Sequence, residues 1–240
     1  MGGLRDHKMN ILVIQARIDS TRLSRKMLLD LGGFKVIEWV IKRCQLSTAV
    51  DKIIAAIPTS KSNDILERIF EDHKVTVFKG SEKDVLGRVV EAAKPYNPTN
   101  LIRVCADNPF IDPELIDSLV NFFNNNHLDY AYNNGSVLEN KCADGFGAEI
   151  VRFEILNKIN NYNLPNSFRE HVTQFIISNQ DDFKIGTPTP EKELAFPELS
   201  FDLDSVEDYT LLQNIIRQDI SINSSAKSII KKYLTNKREL

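Results

Sequence analysis

Four cations, Arg17, Arg22, Arg25 and Lys26, crowd one short segment in which Ala16, Ser20 and Ser24 are the small or hydroxylated neighbours. The segment, Gln15-Ala16-Arg17-Ile18-Asp19-Ser20-Thr21-Arg22-Leu23-Ser24-Arg25-Lys26-Met27-Leu28, follows directly on the apolar residues 11–14. That apolar run reads as a buried strand, and ligands of open α/β sheets bind beyond the carboxyl ends of such strands. In a chain of net charge −3, cations gathered at that edge point to a polyphosphate. Arginine forks pair bidentately with phosphate oxygens, and lysine acts as a mobile point charge. A solvated basic loop is the plainer alternative.

Two acidic patterns come later. Arg103-Val104-Cys105-Ala106-Asp107-Asn108-Pro109 ends a strand on Asp107, and Pro109 stops the ladder from continuing. A carboxylate at that edge suits a hard cation such as Mg2+ bound to triphosphate oxygens. A helix cap or turn former is the alternative. Leu199-Ser200-Phe201-Asp202-Leu203-Asp204 reads as a short strand whose alternation sets Asp202 and Asp204 on one face. Asp204 also stands where it could cap a helix starting near Val206.

The elements that must hold these residues alternate through the first half. Strands are expected over 11–14, 52–57, 75–78 and 101–105, and helices over 35–44, 62–70 and 83–94, with Ser62-Asn63-Asp64 as a capped start. Repeated units of this length imply a mostly parallel sheet with right-handed crossovers. Further on, helices are expected over 113–124, 152–159, 167–178, 205–217 and 224–233, and strands over 129–132 and 148–151. Residues 133–136 read as a turn, and those up to Cys142 as an exposed loop. The organisation expected is one domain over residues 10–240, with a flexible extension over 1–9 and a less regular inserted portion over about 131–197.

Bulk properties set bounds. The chain has 240 residues, 42% hydrophobic and 26% charged, an ordinary globular composition. Its near-neutral balance speaks against general nucleic-acid binding. Three widely spaced cysteines, Cys44, Cys105 and Cys142, fit reduced thiols and a cytoplasmic location. No apolar run approaches the ~18 residues of a membrane span, and residues 1–8 carry no signal-peptide core.

The pattern Ala16-Arg17-x-x-Ser20-x-Arg22-Leu23-x-x-Lys26-x-Leu28 resembles the opening signature of the sugar-nucleotide cytidylyltransferases that activate acidic sugars, in particular the spore-coat-polysaccharide-type branch. The resemblance runs from Asn10 to about Leu212. It implies a Rossmann-like α/β fold of the nucleotide-diphospho-sugar transferase type, with an inserted substrate and dimerisation portion. It also implies a reaction in which CTP and an acceptor, a sugar acid, give a CMP-linked sugar and pyrophosphate, with Mg2+ as cofactor and a homodimer as the assembly.

By the same resemblance, Ala16, Arg17, Ser20, Arg22, Lys26 and Asp107 bind the nucleotide. Asp107 and Asp204 hold the metal, and the catalytic set is Arg17, Lys26, Asp107 and Asp204. Ser81, in the stretch 80–88, is expected at the base or ribose. Glu149, Arg169 and His171 are expected at the acceptor, the last two within Arg169-Glu170-His171-Val172-Thr173. On a continuous helix Arg169 and Thr173 share a face, whereas Glu170 and His171 project elsewhere. Arg88 is expected to pair with Asp84, four residues before it.

One residue departs from the pattern, for ketodeoxyoctonate-activating relatives carry Gln where Cys105 stands. Two other classes stay open. A glycosyltransferase would use Asp202-x-Asp204 for a nucleotide-sugar metal but has little need of the cationic loop. A catalytically silent nucleotide-binding partner would have lost a metal ligand.

Overall fold

The run Asn10-Ile11-Leu12-Val13-Ile14-Gln15 has four central residues that are apolar on both alternating faces, as a strand covered on both sides requires. In the computed structural model, which describes residues 8–20, 22–133 and 140–238, it is β1 (Asn10–Gln15). A hairpin of β2 (Asp30–Leu31) and β3 (Phe34–Lys35) leads into α1 (Val36–Cys44), β4 (Lys52–Pro58), α2 (Asp64–Asp72), β5 (Thr76–Gly80), α3 (Val85–Ala93) and β6 (Asn100–Cys105). Then come α4 (Pro113–Asn125), β7 (Tyr130–Tyr132), β8 (Glu149–Arg152), α5 (Phe153–Asn160), α6 (Asn166–Glu170) and α7 (Gln174–Ser178). The chain closes with β9 (Ile185–Gly186), α8 (Val206–Ile216) and α9 (Ala226–Arg238).

The central sheet has the order β5-β4-β1-β6-β8-β7-β9. Its pairs are parallel except the two that β8 makes with β6 and β7. The mostly parallel Rossmann-like α/β sheet expected from the sequence is the one observed. From β1 the chain moves outward to β4 and β5, then returns to β6 on the other side of β1. The crevice beyond the ends of β1 and β6 is therefore a topological switch point.

One face of the sheet is covered by apolar residues of α1, α2 and α4, among them Ile37, Leu66 and Leu119. The other is covered by α3, α5 and α7 through Leu86, Leu156 and Ile176. A third cluster joins Leu31, Val36 and Trp39 to Phe110, Phe146, Phe201, Leu203, Leu212 and Ile229. Each fully buried Leu, Ile or Phe contributes on the order of 2 kcal/mol of transfer free energy.

Several expectations are corrected. The helix expected over 167–178 breaks at His171, whose backbone is extended at φ −104° and ψ 91°. Val172 and Thr173 are buried there, and the Thr173 hydroxyl donates to Glu149 at 3.0 Å. That tertiary pull outweighs helical propensity, so Arg169 and Thr173 share no helical face. Residues 199–203 form no ladder; among the described residues their one β-bridge is Ser200 with Asp144, beside backbone bonds to Asp144 and Asp107. They still alternate, with Phe201 and Leu203 buried and Asp202 and Asp204 half-exposed. Asn63 does not cap α2; its side chain accepts instead from the Ile18 amide at 2.8 Å. Asn140 and Cys142 are buried, not part of an exposed loop. The hairpin β2–β3 was not expected, although Gly32-Gly33 at φ 66° and 89° supplies the left-handed pair that a tight two-residue turn requires. The extension at residues 1–7 and the turn at 134–136 lie outside the described residues. No described helix is long and apolar enough to cross a membrane.

Candidate active site

The loop after β1 is held from beneath by Ile18, buried and tied through its amide to Asn63. Its end is turned by Arg25 in the left-handed region (φ 54°) into a short 3-10 turn over Lys26–Leu28. This places Gln15, Ala16, Arg17, Ser20, Arg22 and Lys26 on one wall of a cavity of about 190 Å3. Arg103, Cys105, Ala106 and Asp107 from the end of β6 form the next wall, Val85 and Arg88 come from α3, and Glu170 and His171 close it. The cavity occupies the switch-point crevice. Arg25 is exposed and does not line it.

Lys26 is the hub. It is 7% exposed, and its ammonium donates to Asp107 Oδ2 at 2.9 Å, Asp204 Oδ1 at 2.8 Å and the Leu203 carbonyl at 2.7 Å. Burial pulls its pKa down, but the charges and hydrogen bonds of Asp107 and Asp204 outweigh that and hold it above the ordinary lysine value. Arg22 pairs with the other oxygen of Asp204 at 2.9 Å. Arg17 is exposed, and its charge is felt by buried Arg88, whose pKa falls to about 10 through burial and this repulsion. Asp204 is fixed without serving as a helix cap: Ser205 caps α8 in a reciprocal box with Asp208, whose carboxylate also accepts from the Asp204 amide. Backbone bonds from Phe201 to Asp144 and from Leu203 to Asp107 hold the segment in place.

Carboxylates crowd this corner. Burial first, then Asp144, Asp107 and Asp204, push the Asp202 carboxyl up to about 8. With its nitrogen turned inward, Asn108 donates to Asp202 at 2.8 Å. Because the folded value lies above the unfolded one, folding takes up a proton. The stabilisation is complete below the ordinary carboxylate range and is lost as pH rises towards 8, with a slope of at most about 1.4 kcal/mol per pH unit. Asp202→Asn should therefore flatten the decline in thermal midpoint between pH 5 and pH 8 in EDTA-treated protein; an unchanged slope would assign the effect elsewhere.

Among the described residues, no three His, Cys, Asp or Glu side chains form a ready-made metal cage. Asp107 and Asp204 nevertheless fit a divalent ion of the magnesium type, which binds one or two protein carboxylates and completes its shell with water and substrate phosphate oxygens. All the donors are hard oxygens.

The structure thus gathers Ala16, Arg17, Ser20, Arg22, Lys26, Asp107 and His171 around one cavity, and reaches Asp204 through Lys26 and Arg22. Three expected residues stand outside it. Ser81 accepts from the Asp84 amide at 3.0 Å and lines a neighbouring groove. Arg169 pairs with Asp84 at 2.6 Å and bonds to the Asn160 carbonyl at 2.8 Å. Asp84 is therefore not the partner of Arg88, whose guanidinium donates to the Ser81 and Glu82 carbonyls. Glu149 is buried behind the wall, bound to Arg103 at 2.5 Å. Arg88, Arg103 and Glu170 line the cavity without having been expected there. For Arg103 the signal was present, a charged residue inside the apolar strand 101–105. Cys105, whose thiol burial pushes up to about 12, remains a neutral thiol.

Similarity to known proteins points the same way. The profile of a family described as cytidylyltransferase matches residues 11–224. The spore coat polysaccharide biosynthesis protein SpsF of Bacillus subtilis is 29% identical over 213 residues, 87% of this chain and 86% of that protein. A 3-deoxy-manno-octulosonate cytidylyltransferase of Chlorobium phaeobacteroides is 32% identical over 110 residues, 45% of this chain and 42% of its own. The solved structure of a cytidylyltransferase from Leptospira borgpetersenii serovar Hardjo-bovis superposes with a TM-score of 0.90 at 26% identity, covering 97% of this chain and 96% of that one.

Proposed function

Since the chain belongs to the cytidylyltransferase family, we propose that it couples CTP to a hydroxyl of an acidic sugar, giving a CMP-linked sugar and pyrophosphate. The observation that carries this reading is the meeting of the loop cations Arg17, Arg22 and Lys26 with the carboxylates Asp107 and Asp204 at the β1–β6 switch point.

In this reading the acceptor oxygen attacks the α-phosphorus in line. The new oxygen–phosphorus bond forms as the bond to pyrophosphate breaks, and the hydroxyl proton leaves to solvent. Such transfers need positioning and charge stabilisation more than covalent work by the protein. Arg17 and Arg22 grip the β- and γ-phosphate oxygens that become the leaving group. Asp107 and Asp204 hold Mg2+, which supplies charge neutralisation at the phosphates. Lys26, its three donors on Asp107, Asp204 and the Leu203 carbonyl, keeps both carboxylates aimed at one point and adds its positive charge beside the phosphates. Ala16 and Ser20 shape the cavity wall beside the nucleotide, and His171 and Glu170 face the acceptor.

The stretch 131–197 is the acceptor side of the enzyme and the seat of a homodimer. A cytoplasmic setting agrees with the unpaired state of Cys44, Cys105 and Cys142.

Pyrophosphate release tests this. Purified protein with Mg2+ should release pyrophosphate from CTP, and not from ATP, GTP or UTP, when given one member of a panel of sugar acids. Release of a nucleoside diphosphate from a nucleotide-sugar would indicate a glycosyltransferase instead. CTP binding without turnover on any acceptor would indicate a silent binding protein.

A further inference from the structure

The acceptor flank holds a cation, Arg103, to which the family signature assigns no role. We propose that Arg103 binds the carboxylate of the acidic acceptor, and that Glu149 acts through Arg103 without touching the sugar. The proposal rests on the acidic-acceptor reading above.

Arg103 lines the cavity with its side chain 16% exposed. Two neighbours fix the plane of its guanidinium. Nε donates to Gln15 Oε1 at 2.9 Å, and Nη1 to Glu149 Oε2 at 2.5 Å. This leaves the Nη2 edge for the cavity. A cationic donor held in a fixed plane on two sides is suited to a carboxylate, because its charge assists the bond from Nη2 and little side-chain entropy remains to be lost on binding.

Glu149 cannot do the same work itself. Its side chain is 9% exposed, and besides Arg103 it accepts from the Tyr130 hydroxyl at 2.8 Å and the Thr173 hydroxyl at 3.0 Å. Three donors occupy its two oxygens, and it does not line the cavity. The Thr173 bond has a further effect: it ties down the α6–α7 break that carries His171 onto the cavity wall. One buried carboxylate thus sets the orientation of both Arg103 and the His171 segment.

Chain origin separates Arg103 from the phosphate cations. Of the described cations lining the cavity, Arg17, Arg22 and Lys26 come from the loop after β1 and Arg88 from α3. Arg103 comes from β6 at the position paired with Glu149 of β8, next to the 131–197 stretch. Arg169, the cation expected to face the acceptor, is committed to Asp84 and Asn160 outside the cavity. Arg103 fills the role that Arg169 leaves vacant.

The test uses full-length enzyme with CTP, Mg2+ and a panel of sugar acids and neutral sugars, 3-deoxy-manno-octulosonate among the acids. For the acid that the unaltered enzyme uses, Arg103→Gln should raise the acceptor KM at least tenfold while the Kd for CTP, by calorimetry, stays within twofold. Arg103→Lys keeps the charge but not the fork, and should fall between; it also serves if the Gln variant folds poorly. Glu149→Gln should raise the same KM with CTP affinity unchanged, a split that a general loss of structure would not produce. An unchanged acceptor KM, or a loss of CTP affinity in step with it, overturns the proposal and leaves the proposed function standing. An enzyme that uses neutral sugars only, or no acid in the panel, overturns the acidic-acceptor reading and the proposal with it.

Discussion

Asp107→Asn should lower pyrophosphate release by about three orders of magnitude, a loss of some 4 kcal/mol of transition-state stabilisation, while the protein stays folded. Asp107 follows the carboxyl end of β6, shares Lys26 with Asp204, and in the proposed reaction holds the metal ion together with it. An amide there keeps the shape and removes the charge. The fold should tolerate it, because Lys26 retains Asp204 and the Leu203 carbonyl, and the crowded Asp202 carboxyl loses one of its repelling neighbours. The thermal midpoint is therefore expected within a few degrees of the unaltered protein, and CTP affinity in EDTA within a fewfold. Turnover that survives the substitution would remove Asp107 from the metal site.

Lys26→Met should do the reverse, damaging stability and turnover together. It strands the half-buried Asp107, leaves Asp204 with exposed Arg22 alone and leaves the Leu203 carbonyl without its donor. Breaking a buried ion pair by removing one partner costs several kcal/mol. Both carboxylates here are 31% exposed, so a loss nearer 2–3 kcal/mol is expected after screening. For a chain of this size that is a fall of roughly 5–10 °C in midpoint. Turnover should drop at least about 100-fold through the misaimed carboxylates. The double variant Lys26→Met with Asp107→Asn carries one stranded charge fewer, and should recover part of the lost stability. Thermal denaturation of the four proteins at pH 8 in EDTA measures this coupling. Strictly additive effects would mean that Lys26 and Asp107 are not coupled.

How much of this was legible in the sequence depends on the kind of signal. The strands β1 and β4 were readable because burial on both faces leaves apolar runs, and β5 and β6 because short β-branched or apolar runs recur at the spacing of strand–helix units. The cationic loop was readable because Arg17, Arg22, Arg25 and Lys26 follow directly on an apolar run. Asp107 stood out because Pro109 ends its strand. Interactions between residues distant in the chain left no local mark. Nothing near Arg169 announces a partner 85 residues away in Asp84, so its charge read as available when it is spent. The break at His171 follows from burial of Val172 and the pull of Glu149 on Thr173, neither visible in a helical pattern. Residues 199–204 read as a strand because they alternate, yet the sheet does not include them.

That last point bears on how the enzyme is made. Lys26 meets Asp204 across 178 positions, and the segment carrying Asp204 packs Phe201 and Leu203 onto Leu31, Val36 and Trp39. A growing chain can pair β1, β4, β5 and β6 as soon as they emerge, but this apolar surface and the buried ammonium beside it must wait for the carboxyl-terminal third. Until then part of this apolar surface stays uncovered in the nascent chain, the kind of surface that recruits chaperones. The meeting of Lys26 with Asp204 is thus a late event of synthesis, and a chain stopped before Phe201 would hold β1, β4, β5 and β6 yet lack that contact.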